Sequence, residues 1–250
     1  MLDVPAYLDR IGYSGPTRPS DETLRALHRA HLFTVPFENL DIHIGRKIIC
    51  DEGRFLDKIV KEGRGGFCYE LNGAFAALLR ELGFQVSLFA ASVFQPDGSS
   101  GHDFGHLCLR VDLEHPWLAD VGFGESFLEP LRLEPDLEQP QIALVYRLTQ
   151  GGDLYQMEVK TAGKWEPQYT FTLQPRQLSD FAAMCHYQQT SPDSHFTQNR
   201  ICSLATPTGR ITLSNGRLIE TRDGVRQERS VDEAEWRQEL GETFGIVLPV

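Results

Sequence analysis

The sequence predicts an α+β protein whose 250 residues form three regions with different hydrophobic patterns. Residues 1–83 carry apolar side chains at helical spacing, residues 84–190 carry short runs of β-branched and aromatic residues between turns, and residues 191–250 mix both patterns. A chain of this length can form one large domain or two to three small lobes around a shared core. These three patterns favour three lobes with boundaries near residues 83 and 190.

Four helices are expected in the first region. A short helix follows Asp3, and Ser20 can cap a second helix that has two acidic residues in its first turn. A third covers roughly residues 53–63, with apolar side chains on one face. The fourth starts near Cys68, continues with apolar residues at helical spacing, and stops at Gly83.

The second region predicts strands, and the third predicts a hairpin and a helix. The expected strands are 84–94, 106–113, 117–123, 143–150, 154–160 and 165–173. Of these, the hairpin joining 106–113 to 117–123 carries the polar residues of most interest. In the third region an Asn-Gly turn at residues 215–216 predicts another hairpin, and residues 231–245 predict a closing helix.

Charge and cysteine content exclude several classes of protein. The formal net charge of −11 disfavours binding to nucleic acid or to anionic membranes. No apolar run approaches the roughly 18 residues of a membrane span, and the start, MLDVPAYLDRIG, lacks the apolar core of a signal peptide. The five cysteines show neither a CxxC pair nor zinc-type spacing. We therefore expect a cytoplasmic chain with reduced thiols and no metal; the sequence does not indicate an oligomeric state.

The segment RGGFCYELN, residues 64–72, is the sharpest local signal for chemistry. Two glycines allow a tight turn and a close approach of backbone to a substrate, and a helix begins at once after them. Cys68 would face the positive end of that helix, which favours thiolate over thiol, and nearby N–H groups could hold an oxyanion. A buried structural cysteine that begins an amphipathic helix explains the segment equally well.

A nucleophilic cysteine needs a base, and the base needs a group that orients it. His106 is expected at the start of one strand and Asp120 at the end of the next, so a hairpin would place the two side by side. A structural strand histidine and a turn-capping aspartate are the alternatives. The pairing register is not fixed by the sequence, so the contact itself is an inference.

Four motifs resemble the arylamine N-acetyltransferase family in their order and spacing. They are PFENLDI at 36–42, RGGFCYELN at 64–72, the strand that begins at His106, and DVGFG at 120–124. The segments TSPDSHF at 190–196 and LGETFGIVL at 240–248 resemble the bacterial members, so the resemblance covers nearly the whole chain. It implies a helical bundle, a central β-barrel and a C-terminal α/β lid, with a cysteine-protease-like Cys-His-Asp core.

The resemblance also implies an activity. Cys68 would be the nucleophile, His106 the base and Asp120 the residue that orients the base. Acetyl-CoA would donate an acetyl group by a ping-pong mechanism through an acetyl-cysteine. The acceptor would be an arylamine, an arylhydrazine or an N-hydroxyarylamine, as in xenobiotic metabolism.

Supporting and binding residues follow from the same motifs. Glu38 and Arg64 resemble a buried ion pair that braces the nucleophile loop, although an exposed pair of little energetic value is the alternative. Asn72 lies one helical turn after Cys68 and is assigned to support. The resemblance further assigns the substrate pocket to Phe37, Phe123 and Phe196. Cofactor binding is assigned to Gly122 and Gly124, because a glycine-rich strand end lets the backbone approach phosphates or pantetheine. By composition alone the aromatic residues are more often core, and the glycine pair is a weak signal.

Two other enzyme classes stay open at this point. A transglutaminase-like cysteine peptidase or amidase would use Cys, His and Asp in the same chain order. An amide synthase on the same fold would have a nearly identical sequence. No cluster of lysine or arginine marks a site for the phosphates of CoA, so the sequence leaves the donor's binding residues open.

Overall fold

The computed structural model describes residues 2–142 and 144–249 as helices packed against two antiparallel sheets. The helices are α1 (Val4–Arg10), α2 (Asp21–Thr34), α3 (Leu40–His43), α4 (Glu52–Leu56), α5 (Cys68–Glu81), α6 (Ala182–Thr190), α7 (His195–Gln198) and α8 (Glu233–Phe244). As predicted, side-chain oxygens of Asp3 and Ser20 cap the first two helices. Within the described residues, no helix combines the length and apolar character needed to cross a membrane.

The strands form one sheet of eight and one of five. They are β1 (Phe37–Glu38), β2 (Gln85–Val93), β3 (His106–Asp112), β4 (Pro116–Ala119), β5 (Leu131–Arg132), β6 (Gln139–Pro140), β7 (Val145–Gly151), β8 (Leu154–Thr161), β9 (Lys164–Thr172), β10 (Ile201–Thr206), β11 (Gly209–Ser214), β12 (Arg217–Arg222) and β13 (Val225–Ser230). The larger sheet has the order β5-β4-β3-β2-β9-β8-β7-β6, and the smaller has the order β1-β10-β11-β12-β13. The predicted hairpins β3–β4 and β11–β12 are both confirmed.

The eight-stranded sheet curls into a nearly closed barrel. The side chain of Gln139 on β6 accepts a hydrogen bond from the N–H of Arg132 on β5 (2.7 Å) and donates one to its carbonyl (3.1 Å). This amide joins the two edge strands, whose backbones do not pair along their length, and it satisfies polar groups that an edge would leave open. The predicted combination of helices with a central β-barrel is therefore confirmed.

Residues 178–190 are helical, and their inclusion in the predicted β region is wrong. A 3₁₀ turn (Leu178–Phe181) leads into α6, and Phe181 and Cys185 are buried in the same core as α5. Leu178, Phe181 and Cys185 are spaced at i, i+3 and i+7, which is the period of a helix face rather than of a strand. The division into lobes at residues 83 and 190 stays a prediction.

Helix α5 is the axis of the main core. Its residues are buried continuously from Cys68 to Leu79, which explains why both its polar and apolar positions face protein. A helix that is buried all round must find partners for every polar side chain it carries. Glu70 and Asn72, in its first two turns, therefore determine much of what surrounds the nucleophile.

Candidate active site

The PFENL and RGGFC motifs are joined by backbone hydrogen bonds. The N–H of Glu38 donates to the carbonyl of Gly66 (2.9 Å), and a Cβ on Gly65 would lie only 1.9 Å from the carbonyl oxygen of Pro36. Glycine is therefore required at position 65, because a side chain would push the two segments apart. This contact places the start of α5, and with it Cys68, against β1.

Five buried ionic side chains lie beneath this junction and form what we call the ionic cluster: Glu38, Asp41, Lys58, Arg64 and Glu70. The guanidinium of Arg64 lies 2.8 Å from Glu38, as the sequence predicts, and 2.9 Å from Asp41. The Lys58 ammonium lies 2.9 Å from Glu70 and 3.0 Å from Asp41. The predicted pair is therefore one part of a network that ties α3, the turn after α4 and the start of α5 together.

Glu70 connects the ionic cluster to the helix that carries the nucleophile. One of its oxygens accepts the N–H of Phe67 at 3.1 Å, and the other accepts from Lys58. Burial raises the pKa of Glu70 to about 7, against the lowering effect of Lys58, and Glu38 raises it further. Because the cluster holds three carboxyl groups and two cations, a proton on Glu70 balances its charge.

His106 and Asp120 meet as the predicted hairpin requires. The Nε2 atom of His106 lies 2.7 Å from Asp120 Oδ2, and both side chains are buried. The other carboxylate oxygen accepts hydrogen bonds from Asn72 Nδ2 (2.8 Å) and from the N–H of Gly122 (3.0 Å). Burial by itself would raise the pKa of Asp120, but these three donors lower it, so the carboxylate is ionised at neutral pH.

The loop after β4 packs directly on the nucleophile. A Cβ on Gly122 would lie 2.8 Å from the Cα of Cys68 and 2.7 Å from Asn72 Nδ2, so position 122 has no room for a side chain. Asn72 also donates to the carbonyl of Leu107 (2.6 Å) and accepts the N–H of Val121 (2.9 Å). Its amide therefore links the helix of the nucleophile to β3 and to the loop that follows β4.

The electrostatic setting of Cys68 differs from the sequence prediction of a low pKa. Burial raises the pKa of its thiol, and the Asp120 carboxylate raises it further, whereas the N–H groups of Leu107 and Tyr69 lower it. The helix terminus thus does not outweigh burial while the imidazole is neutral. The sulfur can ionise readily only if its proton moves to a nearby base.

Cys68 and His106 line one cavity of about 590 Å³, and all five predicted binding residues line it too. Phe37 and Phe196 form one aromatic wall, with ring centroids 6.1 Å apart. The rings of Phe123 and His106 meet edge to face, with centroids 5.2 Å apart. Gly122 and Gly124 contribute backbone, and none of the described lining residues is a lysine or an arginine.

Sequence reasoning missed several residues around this cavity. His102, Tyr187 and His195 also line it, and His28 contacts the backbone of Asp120. Asp41 and Glu70 lie inside the matched motifs, where their burial could have been inferred, whereas Lys58 has the pattern of an exposed helix face. Within the described residues, no group of three or more His, Cys, Asp or Glu side chains is arranged to hold a metal ion.

The similarity to known proteins extends over nearly the whole chain. A family described as N-acetyltransferase matches residues 21–250. The arylamine N-acetyltransferase of Escherichia coli (strain K12) is 36% identical over 245 residues, which cover 96% of this chain and 87% of that protein. Arylamine N-acetyltransferase 1 of Homo sapiens is 31% identical over 275 residues, covering 99% and 95%. The structure of Mycobacterium marinum arylamine N-acetyltransferase in complex with CoA superposes with a TM-score of 0.91 at 33% identity, covering 98% of this chain and 93% of that one. The chain belongs to the arylamine N-acetyltransferase family.

Proposed function

We propose that this chain transfers an acetyl group from acetyl-CoA to an arylamine, arylhydrazine or N-hydroxyarylamine, through an acetyl-Cys68 intermediate. The observation that carries the proposal is that Cys68 and His106 line one cavity while Nε2 of His106 is held 2.7 Å from an ionised Asp120. Support also comes from the CoA bound by the Mycobacterium marinum neighbour and from a Salmonella typhimurium relative named as an N-hydroxyarylamine O-acetyltransferase.

The first step is a proton transfer that creates the nucleophile. Because Nε2 of His106 is bound to Asp120, Nδ1 is the ring nitrogen that can take the proton of the Cys68 thiol. The product is a thiolate beside an imidazolium whose charge Asp120 stabilises. This ion pair overcomes the burial that raises the pKa of Cys68 in the presence of a neutral imidazole.

The second step is acylation. The Cys68 thiolate attacks the thioester carbonyl of acetyl-CoA, and N–H groups of the first turn of α5 stabilise the oxyanion of the tetrahedral intermediate. The bond from carbon to the sulfur of CoA breaks, and the imidazolium of His106 returns its proton to that sulfur. CoA leaves as a free thiol, and Cys68 holds the acetyl group as a thioester.

The third step returns the enzyme to its starting state. The nitrogen of the acceptor attacks the acetyl carbon and loses a proton to His106, and the thiolate of Cys68 is the leaving group. An N-hydroxyarylamine reacts in the same way through its oxygen. The aromatic wall of Phe37 and Phe196, with Phe123 in the same cavity, would hold the ring of the acceptor. Gly122 and Gly124 would let the pantetheine arm approach the loop backbone closely.

Intact-mass measurement after mixing with acetyl-CoA, without an acceptor, tests this proposal. We expect one acetyl group per chain, carried on Cys68, and its loss with formation of an amide when an arylamine is added. A chain that stays unmodified while it turns over a peptide would instead indicate the cysteine peptidase class. A chain that acetyl-CoA leaves unmodified, but that accepts a larger acyl group carrying its own amine and releases it as a cyclic amide, would indicate an amide synthase.

A further inference from the structure

We propose that His28 on α2 is a positioning residue for acyl transfer, because its two ring nitrogens hold both ends of the loop that carries Asp120. We call residues 120–128 the active-site loop. The inference rests on the function proposed above, since it assigns His28 a role that is exerted through Asp120. His28 is not itself among the residues that line the cavity.

The geometry of the two contacts is specific. The N–H of Asp120 donates to Nε2 of His28 at 3.1 Å, and Nδ1 of His28 lies 2.9 Å from the carbonyl oxygen of Leu128. A carbonyl can only accept, so Nδ1 carries the hydrogen and Nε2 provides the lone pair. One neutral imidazole therefore spans the first and last residues of the active-site loop.

The surroundings of the imidazole fix this tautomer. Its ring is fully buried, stacks on Phe127 with centroids 5.8 Å apart, and meets the edge of Phe75 at 5.9 Å. Burial lowers the pKa of His28 to about 4, so the ring is neutral at physiological pH. Protonation would set an N–H of the ring against the N–H of Asp120 and break the first contact.

The same helix holds the far end of the loop from outside. Arg25 and Arg29 each place a guanidinium nitrogen 2.6 Å from a carboxylate oxygen of Glu129. His28 lies between these two arginines on the same helix and reaches the residue before Glu129. The ion pairs of α2 hold the end of the active-site loop. The hydrogen bond from the N–H of Asp120 to His28 acts on the residue that carries the catalytic carboxylate.

What His28 controls is the backbone beneath the Asp120 carboxylate. Asn72 and the N–H of Gly122 hold one carboxylate oxygen. Of the backbone N–H groups here, that of Val121 is held by Asn72, whereas that of Asp120 itself is held by His28. A small displacement there changes the approach of Asp120 to His106, and a misplacement of about 1 Å can cost on the order of 10²-fold in rate.

Two amide substitutions separate the two ring nitrogens. In His28→Gln the longer side chain places its carbonyl oxygen where Nε2 lies, so the Asp120 contact is kept. In His28→Asn the shorter side chain places its NH₂ group where Nδ1 lies, so only the Leu128 contact is kept. We expect the rate of Cys68 acetylation, measured by quenched mixing with saturating acetyl-CoA and counted per folded molecule, to stay within about threefold for Gln and to fall at least about tenfold for Asn.

The pH profile of Cys68 alkylation by iodoacetamide provides a second measurement. A purely structural role of His28 would leave this profile unchanged. If His28 orients Asp120, the apparent pKa of the thiol in His28→Asn shifts upward, towards that of an ordinary cysteine, while the Gln variant keeps the wild-type profile. Equal acetylation rates for the two variants, or an unchanged profile in the Asn variant, would overturn the inference.

Three controls keep the outcomes distinct. His31, one turn further along α2, is buried with both ring nitrogens unpartnered among the described residues, so His31→Leu should change stability and leave acetylation intact. Asp120→Asn serves as the reference: if it acetylates normally, the proposed function fails, whereas a slow Asp120→Asn beside a normal His28→Asn removes only the role of His28. In the wild-type protein at pH 7, nitrogen NMR should show His28 as the Nδ1–H tautomer, and the opposite tautomer would refute the geometry even if the variants did not fold.

Discussion

The two sides of the catalytic cavity are held by different kinds of interaction. On the side of the nucleophile, the ionic cluster joins the start of α5 to α3 through buried charges such as Arg64 and Lys58. On the side of the base, Asp120 is held by an amide, a backbone N–H and, through its own N–H, a neutral imidazole. Buried charges are costly to unpair, whereas neutral hydrogen bonds fix direction at a smaller cost. Substitutions on the first side should therefore act mainly on stability, and substitutions on the second mainly on rate.

The largest expected effect is the loss of stability in Arg64→Ala. This change removes the closest cation from Glu38 and Asp41 and leaves them with Lys58 and the half-exposed Arg46. An uncompensated buried charge costs about 3–5 kcal/mol in the free energy of unfolding. Denaturant unfolding of the variant and of Arg217→Ala provides the comparison. Arg217 is 61% exposed and 3.6 Å from Glu228, so its removal should cost less than about 1 kcal/mol. Equal losses in the two variants would show that the ionic cluster contributes no more than a surface pair.

Asp120→Asn should show the opposite balance. The amide cannot serve as the negative partner of the imidazolium, and by analogy with the serine triad we expect acylation to fall on the order of 10²-fold or more. The melting temperature should change little, because Asn72 and Gly122 can still donate to the amide oxygen. Asp112→Asn, at the other end of the same hairpin, is the matched control and should acylate normally. Near-normal acylation in a folded Asp120→Asn would place the orienting role elsewhere.

Many features on both sides of the cavity could be predicted from local sequence signals. The caps at Asp3 and Ser20, the helix that starts at Cys68 and the hairpin that brings His106 to Asp120 all follow from spacing and turn chemistry. The predicted Glu38–Arg64 contact is also present in the structure. The caps, the helix and the hairpin share one property, since each depends on residues that lie close together in sequence or repeat at a fixed period. The Glu38–Arg64 contact, by contrast, was expected from the family resemblance.

The remaining features depend on contacts that no local pattern encodes. Lys58 is buried because three carboxyl groups from distant segments converge on it, although its own helix has the charge pattern of a solvated face. His28 is 92 residues from Asp120 in sequence, and a histidine on an amphipathic helix gives no sign of its partner. The raising effect of burial on the pKa of Cys68 was missed for a similar reason, because burial depends on the whole fold around the helix terminus.

The pH dependence of stability offers a smaller test of the ionic cluster. Because the pKa of Glu70 is raised from 4.5 to about 7, the folded chain holds a proton between these values that the unfolded chain has released. Stability from this group is therefore present at low pH and declines as pH rises through about 7, by at most about 1.4 kcal/mol per pH unit. Glu70→Gln should flatten that decline. Glu62→Gln should not, since Arg46 lowers the pKa of Glu62, and a slope unchanged in Glu70→Gln would exclude Glu70 as the titrating group.

The smallest expected effect is the difference in alkylation rate between Cys68 and the other cysteines. Burial raises the pKa of Cys108 and Cys202, and also that of Cys185, where a contact with Cys50 contributes most, so only half-buried Cys50 competes with Cys68 for alkylation. The proposed pairing with His106 stabilises the thiolate of Cys68, so we expect Cys68 to be alkylated faster at pH 6 than an ordinary thiol, of which only about 0.3% is thiolate at that pH. The lower basicity of a stabilised thiolate reduces its nucleophilicity and offsets part of this gain, but we still expect Cys68 to be labelled several-fold faster than Cys50.

Sub-stoichiometric iodoacetamide at pH 6, followed by peptide mapping, measures this ratio. Activity should fall in proportion to the labelling of Cys68, and acetyl-CoA should protect it. His106→Ala removes the proton acceptor and should abolish the advantage, because the raised pKa that burial gives Cys68 then has nothing to offset it. Labelling of Cys50 at the rate of Cys68 in the wild type, or full activity after Cys68 is alkylated, would mean that the base side of the cavity does not activate this sulfur.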